Sequence, residues 1–335
     1  MVNGIIIINK EQGFTSFDVV AKLRGIVKQK KIGHTGTLDP DAVGVLPVCL
    51  GNATKLCDLL TDKSKEYVTE FILGKTTDTQ DISGKVLSEH EVTVSESEVR
   101  DAVMSFVGAY DQIPPMYSAL KINGKKLYEL AREGKVVERK ARRVEIPEIE
   151  IESVQLPYVK MRVACSKGTY IRTLCADIGD KLGCGATMTK LQRTQVGPFV
   201  LSDAYTLSEV EQLVLEDRLH DILRSSDSVF GSYRACRVKE QGIKMLRNGN
   251  KLFPNQVEEK DADGNAVICD SRVMFSACRN NLVRLPSGTA AVIRGLDGYL
   301  VAASDNVLVI CPNDDPALVR RLVNEAQVQL GEDFV

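Results

Sequence analysis

An uncharged, largely apolar run at positions 43–50 most constrains how this chain can fold. Its length and composition are typical of a strand buried within a sheet. Just before it comes Asp39, followed by Pro40, in a segment that begins with Gly33 and Gly36. Because Pro40 disfavours helical dihedral angles at Asp39, we expect the carboxylate to lie on extended or turn backbone directly ahead of the strand. Loops held by a rigid strand often carry catalytic groups, so Asp39 is the first candidate, with an ordinary Asp-Pro turn as the alternative.

The length and composition of the chain limit the kind of protein that Asp39 can be part of. A chain of 335 residues, of which 44% are hydrophobic, suits about two domains and can bury a large core. The longest apolar run near its start, residues 5–8, is far too short for a signal-peptide core or a membrane span. We therefore expect a cytoplasmic protein that does not associate with a membrane.

The nine cysteines raise the question of a metal site or a disulfide scaffold. No two of them form a Cys-x-x-Cys pair, and the chain contains only three histidines. Cys165, Cys175 and Cys184 come nearest to a cluster, but their spacing matches no zinc pattern. The sequence predicts reduced, mostly buried thiols, no metal site and no cofactor.

Positive charge is concentrated in two stretches, although the net charge is only -2. Residues 19–37 contain five basic side chains and no acidic one, and residues 119–143 have a local balance of +6. Such a distribution predicts a basic surface that follows phosphate groups, and the alternative for each stretch is a solvated helix surface.

The remaining sequence contains both strand-like and helix-like segments, and the fold class that we expect, from the family resemblance given below, is α+β. Asp78 and Asp81 follow a predicted strand at residues 67–73, and we interpret them as part of a polar turn. Two prolines in residues 112–121 exclude regular structure there and hold Tyr117 and Lys121 close together, on a loop that could face a partner. The predicted strands lie at residues 4–9, 43–50, 67–73, 144–154 and 159–165, and the predicted helices follow Thr15, Gly51, Ser95, Gly168 and Thr206.

A second informative stretch, residues 166–174, joins a predicted strand to a helix. Tyr170 and Arg172 flank the apolar Ile171 near the start of that helix. An arginine in this position can make a two-pronged, charge-assisted pair with a carboxylate such as that of Asp39.

Five motifs, in order over roughly residues 4–200, resemble the bacterial TruB family of tRNA pseudouridine synthases. The resemblance implies a pseudouridine synthase fold, with a mixed, mainly antiparallel sheet and flanking helices. It also implies that a uridine in the TΨC loop of tRNA, at position 55, is isomerised without a cofactor. The motifs are Gly-His-Thr-Gly-Thr-Leu-Asp-Pro at 33–40, Gly-x-Ala-Thr-Lys at 51–55, Lys-Glu-Tyr at 65–67, Pro-Pro-x-Tyr-Ser-Ala-x-Lys at 114–121 and Gly-Thr-Tyr-Ile-Arg-Thr-Leu at 168–174.

The resemblance assigns roles to residues at the matched positions. Asp39 would be the essential carboxylate, and attack at C1′, addition at C6 and removal of a sugar proton all stay open. Tyr67 would stack on the flipped base, and Tyr170 would assist loss of the C5 proton. Arg172 would orient Asp39 and keep it ionised. The other implied residues are Leu191 in the pocket wall, His34 in positioning the RNA, and Lys65, Lys121, Arg142 and Arg143 as contacts to the RNA backbone.

We expect three segments: a catalytic domain at residues 1–231, a small β domain at 232–312 that could be either an RNA-binding domain like the PUA module or a purely stabilising appendage, and a helical tail at 313–335. The expected partner is the TΨC arm of tRNA, bound by a monomer with no obligate protein partner. Two other classes stay open at this point. A non-catalytic tRNA-folding module would keep the basic surfaces without needing Asp39, and a carboxylate-dependent hydrolase would release free base.

Overall fold

The computed structural model describes residues 2–122, 124–230, 237–250, 257–258, 266–268, 272–286, 288–304 and 307–312, together with residues 321, 322 and 325. The chain divides into two compact units, residues 1–232 and 233–335. No helix within these described ranges is long and apolar enough to cross a membrane.

Unit 1 combines strands with short helices in the order in which the chain runs. Its strands are β1 Gly4–Lys10, β2 Ile32–His34, β3 Val43–Leu50, β4 Lys65–Leu73, β5 Lys75–Thr77, β6 Val86–Glu89, β7 Gly108–Gln112, β8 Lys121–Ile122, β9 Lys125–Lys126, β10 Arg142–Ile146, β11 Glu148–Gln155, β12 Tyr158–Cys165, β13 Ala186–Val196 and β14 Phe199–Val200. Its α-helices are α1 Ser16–Val27, α2 Cys57–Thr61, α3 Glu96–Met104, α4 Leu127–Arg132, α5 Ile171–Lys181 and α6 Leu207–Leu215.

An eight-stranded sheet forms the centre of the described part of unit 1. Its order is β1-β3-β13-β4-β12-β11, with β2 added to β3 and β14 added to β13. The pairings are antiparallel except for β3 with β13, which run parallel through Gln192 opposite Val43 and Arg193 opposite Gly44. The sheet is therefore mixed and mainly antiparallel, as predicted.

Both faces of the β1 and β3 end of the sheet are covered, which explains their unbroken apolar sequences. Ile6 and Ile8 face a cluster that includes helices α1 and α6, whereas Ile5 and Ile7 face a second cluster that includes Leu60 from α2. The central strands β4 and β12 alternate, and their buried side chains pack against α3 and α5 in a third cluster. The predicted strand at residues 43–50 is confirmed at both ends.

Two predicted elements differ from the structure. The strand predicted at residues 144–154 is divided into β10 and β11, which pair with β7 and β12 in different sheets. Pro147 lies between the two strands, where it has no N-H to donate to either sheet. The helix predicted after Gly51 begins as a tighter 3-10 turn, Gly51–Leu56, before α2.

Unit 2 contains small sheets. Its elements are β15 Arg237–Val238, α7 Glu240–Arg247, β16 Val257–Glu258, β17 Ala266–Ile268, β18 Arg272–Ser276, β19 Leu282–Arg284, β20 Ala290–Arg294, β21 Tyr299–Ser304 and β22 Val307–Pro312. A four-stranded sheet has the order β17-β19-β21-β22, and β15 pairs with β16 and β18 with β20. The helix predicted within the tail, residues 316–330, lies outside the described residues except at positions 321, 322 and 325.

Candidate active site

Asp39 lies on the turn between β2 and β3, and a buried lysine holds this turn through hydrogen bonds to its backbone. Lys10, at the end of β1, is 1% exposed, and its ammonium donates hydrogen bonds to the carbonyl oxygens of Glu11, Pro40 and Ala42 at 3.0, 3.0 and 2.5 Å. Burial lowers the pKa of Lys10 to about 8, although the carboxylate of Asp39 opposes this effect. The backbone directly after Asp39 is therefore fixed.

The guanidinium of Arg172 joins Asp39 to a second carboxylate. Its Nη2 atom lies 3.3 Å from Oδ2 of Asp39, and its Nη1 atom lies 3.3 Å from Oδ2 of Asp81. Nη2 also donates a 2.6 Å hydrogen bond to the carbonyl oxygen of Tyr117. The side chain of Arg172 is 7% exposed and that of Asp39 is 38% exposed, so a buried cation holds a carboxylate that solvent reaches.

Asp81 is a site residue that the sequence reasoning missed, because we interpreted it only as part of a polar turn. Its Oδ1 atom accepts hydrogen bonds from the hydroxyls of Thr79 and Ser83 at 2.8 and 2.5 Å, and from the Ser83 N-H at 3.1 Å. Asp81 also forms an isolated bridge with Met188 on β13. These contacts leave Oδ2 to face Arg172.

The electrostatics of Asp39 reflect both its burial and its charged neighbours. Burial raises the pKa of Asp39, Arg172 and Lys10 oppose the rise, and the carboxylates of Asp81 and Asp41 add to it. The predicted pairing of Asp39 with Arg172 is present, but the net direction of the shift is upward. Arg172 therefore offsets only part of the free energy that burial of the ionised Asp39 carboxylate costs.

Tyr67 forms part of the core beneath the site. It lies on β4, is 8% exposed, and belongs to the same apolar cluster as Leu38, the neighbour of Asp39. Burial raises the pKa of the Tyr67 hydroxyl, and the positive charge of Arg193 opposes the rise. Arg193, which the sequence reasoning also missed, is 1% exposed and donates from Nε to the carbonyl oxygen of Val45 at 2.7 Å.

Tyr170 directly precedes α5, two residues before Arg172. Its N-H donates to Oε1 of Gln112 at 2.8 Å, and Nε2 of Gln112 donates to its carbonyl oxygen at 3.0 Å. Burial raises the pKa of the Tyr170 hydroxyl, and Asp39 contributes in the same direction, as it does at Tyr67. The carboxylate of Asp39 is therefore near enough to both phenol groups to influence their ionisation.

Leu191 and His34 lie on strands that border the site. Leu191, on β13, is half-buried, packs against the cluster that contains Tyr67, and pairs with Thr69 across the sheet. His34 ends β2, and its Nδ1 atom accepts a 3.4 Å hydrogen bond from the Gly36 N-H. Burial lowers the pKa of His34, which favours the neutral ring.

The four residues predicted to contact the RNA backbone differ in how accessible their side chains are. Lys65 is 9% exposed, and its ammonium donates to the carbonyl oxygens of Thr61 and Lys63 at 2.5 and 2.6 Å. The prediction that Lys65 contacts a phosphate is therefore wrong, because its donors are buried and serve the protein backbone. The backbone of Lys121 lies in β8, but its side chain falls outside the part of the chain that the structure describes.

Arg142 and Arg143 are exposed on β10 and accessible to a polyanion. Nη1 of Arg143 lies 3.0 Å from Oδ2 of Asp111, whereas Arg142 has no ion-pair partner among the described residues. Across the described ranges, no group of three or more His, Cys, Asp and Glu side chains could hold a metal ion.

Solved structures with the same fold define the class. A Cbf5-Nop10-Gar1 complex matches 74% of this chain with a TM-score of 0.60 and 29% identity, over 68% of the matched chain. An H/ACA RNP bound to a substrate RNA containing 2'-deoxyuridine matches with a TM-score of 0.58 and 27% identity, over 74% of this chain and 67% of that one. The fold is the predicted pseudouridine synthase fold, and the protein is an enzyme of that class.

Sequence comparison gives the family. The model for the TruB family pseudouridylate synthase N-terminal domain matches residues 24–171, and that for the tRNA pseudouridylate synthase B C-terminal domain matches residues 172–230. The tRNA pseudouridine synthase B of Lachnoclostridium phytofermentans is 56% identical over 78% of this chain and 88% of its own length. That of Clostridium perfringens strain SM101 is 48% identical over 79% and 89%. The chain belongs to the TruB family, as its motifs predicted, and both model matches lie within unit 1.

Proposed function

We propose that this chain isomerises the uridine at position 55, in the TΨC loop of tRNA, with Asp39 as its essential carboxylate. The observation that carries the proposal is the difference in exposure across one ion pair. Arg172 is 7% exposed, whereas the Asp39 carboxylate that it holds is 38% exposed and accessible to a substrate. A relative named tRNA pseudouridine synthase B, 56% identical over most of the chain, supports tRNA as the substrate.

The chemistry needs one carboxylate and no change of oxidation state. The bond between N1 and C1′ of the uridine breaks, the base turns over, and a bond between C5 and C1′ replaces it. Attack by Asp39 at C1′, addition at C6, and removal of a sugar proton each require the ionised carboxylate, which Arg172 favours by direct contact. Tyr170, at the start of α5, is the proposed assistant to loss of the C5 proton.

The target uridine has to leave the stacked loop before it can reach Asp39. Extrusion costs a few kcal/mol, and stacking on an aromatic ring returns about 1 to 3 kcal/mol. Tyr67 is the proposed stacking partner. Its ring is 8% exposed in the structure, so the entering base has to displace neighbouring side chains to cover it. Leu191 and His34 are the proposed wall of the pocket and the RNA-positioning side chain.

Catalysis by Asp39 can be tested with tRNA that carries tritium at C5 of its uridines. We expect Asp39→Asn to release no tritium above background while binding tRNA within about threefold of the wild-type affinity. Asp41→Asn is the matched control, because Asp41 is exposed on the same turn, and it should retain tritium release. Full release by Asp39→Asn would remove the assignment, and free uracil in the wild-type reaction would indicate a hydrolase.

The position of the modified uridine within tRNA is tested by a separate measurement. A transcript with cytidine at position 55 should give no pseudouridine, whereas the unmodified parent transcript should give one equivalent at that position. Modification elsewhere in the substituted transcript would contradict the assignment of position 55.

Unit 2 is the proposed RNA-binding module of the PUA type. Exposed arginines on three of its strands support this proposal: Arg272, Arg284 and Arg294. Replacing all three with glutamine should weaken tRNA binding while leaving kcat unchanged, and an unchanged affinity would contradict the role. We also propose that the protein acts as a monomer and that it acts in the cytoplasm, where tRNA is modified.

A further inference from the structure

Two cysteines of unit 1 lie side by side outside the catalytic site. Cys49 is on β3 and fully buried, and Cys57 is the first residue of α2 and half-buried. Both belong to the apolar cluster on one face of the β1 and β3 end of the sheet.

The backbone of Gly33 lies next to both cysteines. Gly33 is directly opposite Cys49 in the β2 and β3 pairing, and the Cβ positions of opposite residues lie about 5 Å apart on the same face. A Cβ placed on Gly33 would lie 3.3 Å from Sγ of Cys57. The sulfur of Cys57 therefore occupies the space left by the missing side chain of Gly33, next to the side chain of Cys49.

The two thiols are not equivalent. The interaction between them raises the pKa of Cys49 and lowers the pKa of Cys57. Burial instead raises the pKa of Cys165 to about 11 and of Cys175 to about 12. Cys57, half-buried and with its thiolate favoured, is the thiol that an oxidant reaches first, because the thiolate is the nucleophile.

We propose that Cys49 and Cys57 are a redox-modification site that closes to a disulfide when a hydroperoxide oxidises the chain. The thiolate of Cys57 attacks one oxygen of hydrogen peroxide, the O-O bond breaks, and the departing hydroxide takes up the proton that Cys57 lost, leaving a sulfenic acid and water. The sulfur of Cys49 then attacks the sulfur of Cys57, the S-O bond breaks, and the proton of Cys49 leaves with the hydroxyl as a second water. Two thiols lose two electrons, and one peroxide becomes two waters.

The sequence makes this disulfide simple to detect. Trypsin cleaves after Lys31, Lys55 and Lys63, so Cys49 and Cys57 fall into separate peptides, residues 32–55 and 56–63. The full-length protein is treated with hydrogen peroxide, denatured in iodoacetamide and digested without a reductant. We expect the two peptides to appear as one linked species, and we expect dithiothreitol to release them.

Matched variants separate this site from general oxidation. Cys57→Ser should abolish the linked species, whereas Cys184→Ser, which removes another buried thiol, should leave it unchanged. The wild-type digest decides the proposal even if a substitution at the buried Cys49 impairs folding. The proposal fails if peroxide carries Cys57 to a sulfinic or sulfonic acid while Cys49 stays alkylated, or if Cys57 is linked to a different cysteine. Since the digest measures no pseudouridine, its result does not depend on the proposed function.

Discussion

Arg193 and Tyr67 lie directly opposite each other on the paired strands β13 and β4. The guanidinium of Arg193 is fully buried, donates from Nε to the carbonyl oxygen of Val45 near the start of β3, and by its charge opposes the rise in the pKa of the Tyr67 hydroxyl. Gly44 permits this packing, because a Cβ there would lie 2.2 Å from the carbonyl oxygen of Arg193. One buried side chain thus connects the strand that follows Asp39 to the tyrosine proposed to stack on the base.

We expect Arg193→Met to lower kcat about tenfold, because it removes the buried charge that acts on the Tyr67 hydroxyl and frees the ring opposite it to shift. Tyr67→Phe removes that hydroxyl and should cost less. If the two residues act through this interaction, the double variant should be no slower than Arg193→Met alone. Single-turnover tritium release measures all three variants, and strictly additive losses would contradict the coupling.

Asp81 should support catalysis through Arg172. Asp81→Asn keeps an acceptor for Thr79 and Ser83 but removes the charge that faces Arg172. We expect kcat to fall about 10- to 100-fold while KM for tRNA changes little, because the guanidinium is no longer held toward Asp39.

Asp78→Asn is the matched control for this prediction. Asp78 lies in the same turn, but its Oδ1 accepts a 2.8 Å hydrogen bond from the Lys85 N-H rather than facing Arg172. Steady-state kinetics on both variants provide the test. Equal losses would mean that the fold of the turn, and not the charge at Asp81, is what matters.

Lys65 should make stability depend on alkaline pH. Burial lowers its pKa from 10.5 to about 8, so between these values the unfolded chain binds more protons than the folded one. The contribution of Lys65 to the free energy of unfolding therefore increases as pH rises from about 8 to 10.5, by at most about 3 kcal/mol. At pH 7 this gain is absent.

Urea unfolding of Lys65→Met at pH 7.5 and pH 10 tests the direction of this pH dependence. Relative to the wild type, the variant should lose stability as pH rises. Lys190→Met is the control, because the Lys190 side chain is 75% exposed, and its stability should follow the wild type at both values. A constant difference between Lys65→Met and the wild type would show that Lys65 does not titrate in this range.

Arg142 should contribute to tRNA affinity through charge alone. It is exposed on β10 and has no ion-pair partner among the described residues, so a phosphate can take that place. We expect Arg142→Gln to weaken binding and to reduce the slope of log K against log salt by about one. Arg218→Gln removes an exposed arginine that is already paired with Glu216 and Asp221, and its slope should match the wild type. Filter binding at several salt concentrations provides the measurement.

The sequence by itself determined the elements whose signals are local. The apolar run of β3, the turn at Asp39 and Pro40, and the helix start at Thr15 each depend on neighbouring residues, and the structure shows all three. The pairing of Asp39 with Arg172 was also anticipated, because each residue lies where a loop meets a regular element.

Only the tertiary structure decided which other distant side chains meet. Asp81, Arg193 and Lys10 were missed because their sequence context reveals neither their burial nor their partners, such as Arg172 for Asp81, which lies 91 positions away. Lys65 was assigned to the RNA for the related reason that a charged residue in a motif does not reveal whether its ammonium is buried. Burial and long-range pairing arise when strands associate in the sheet, so the spacing of residues along the chain does not encode them directly.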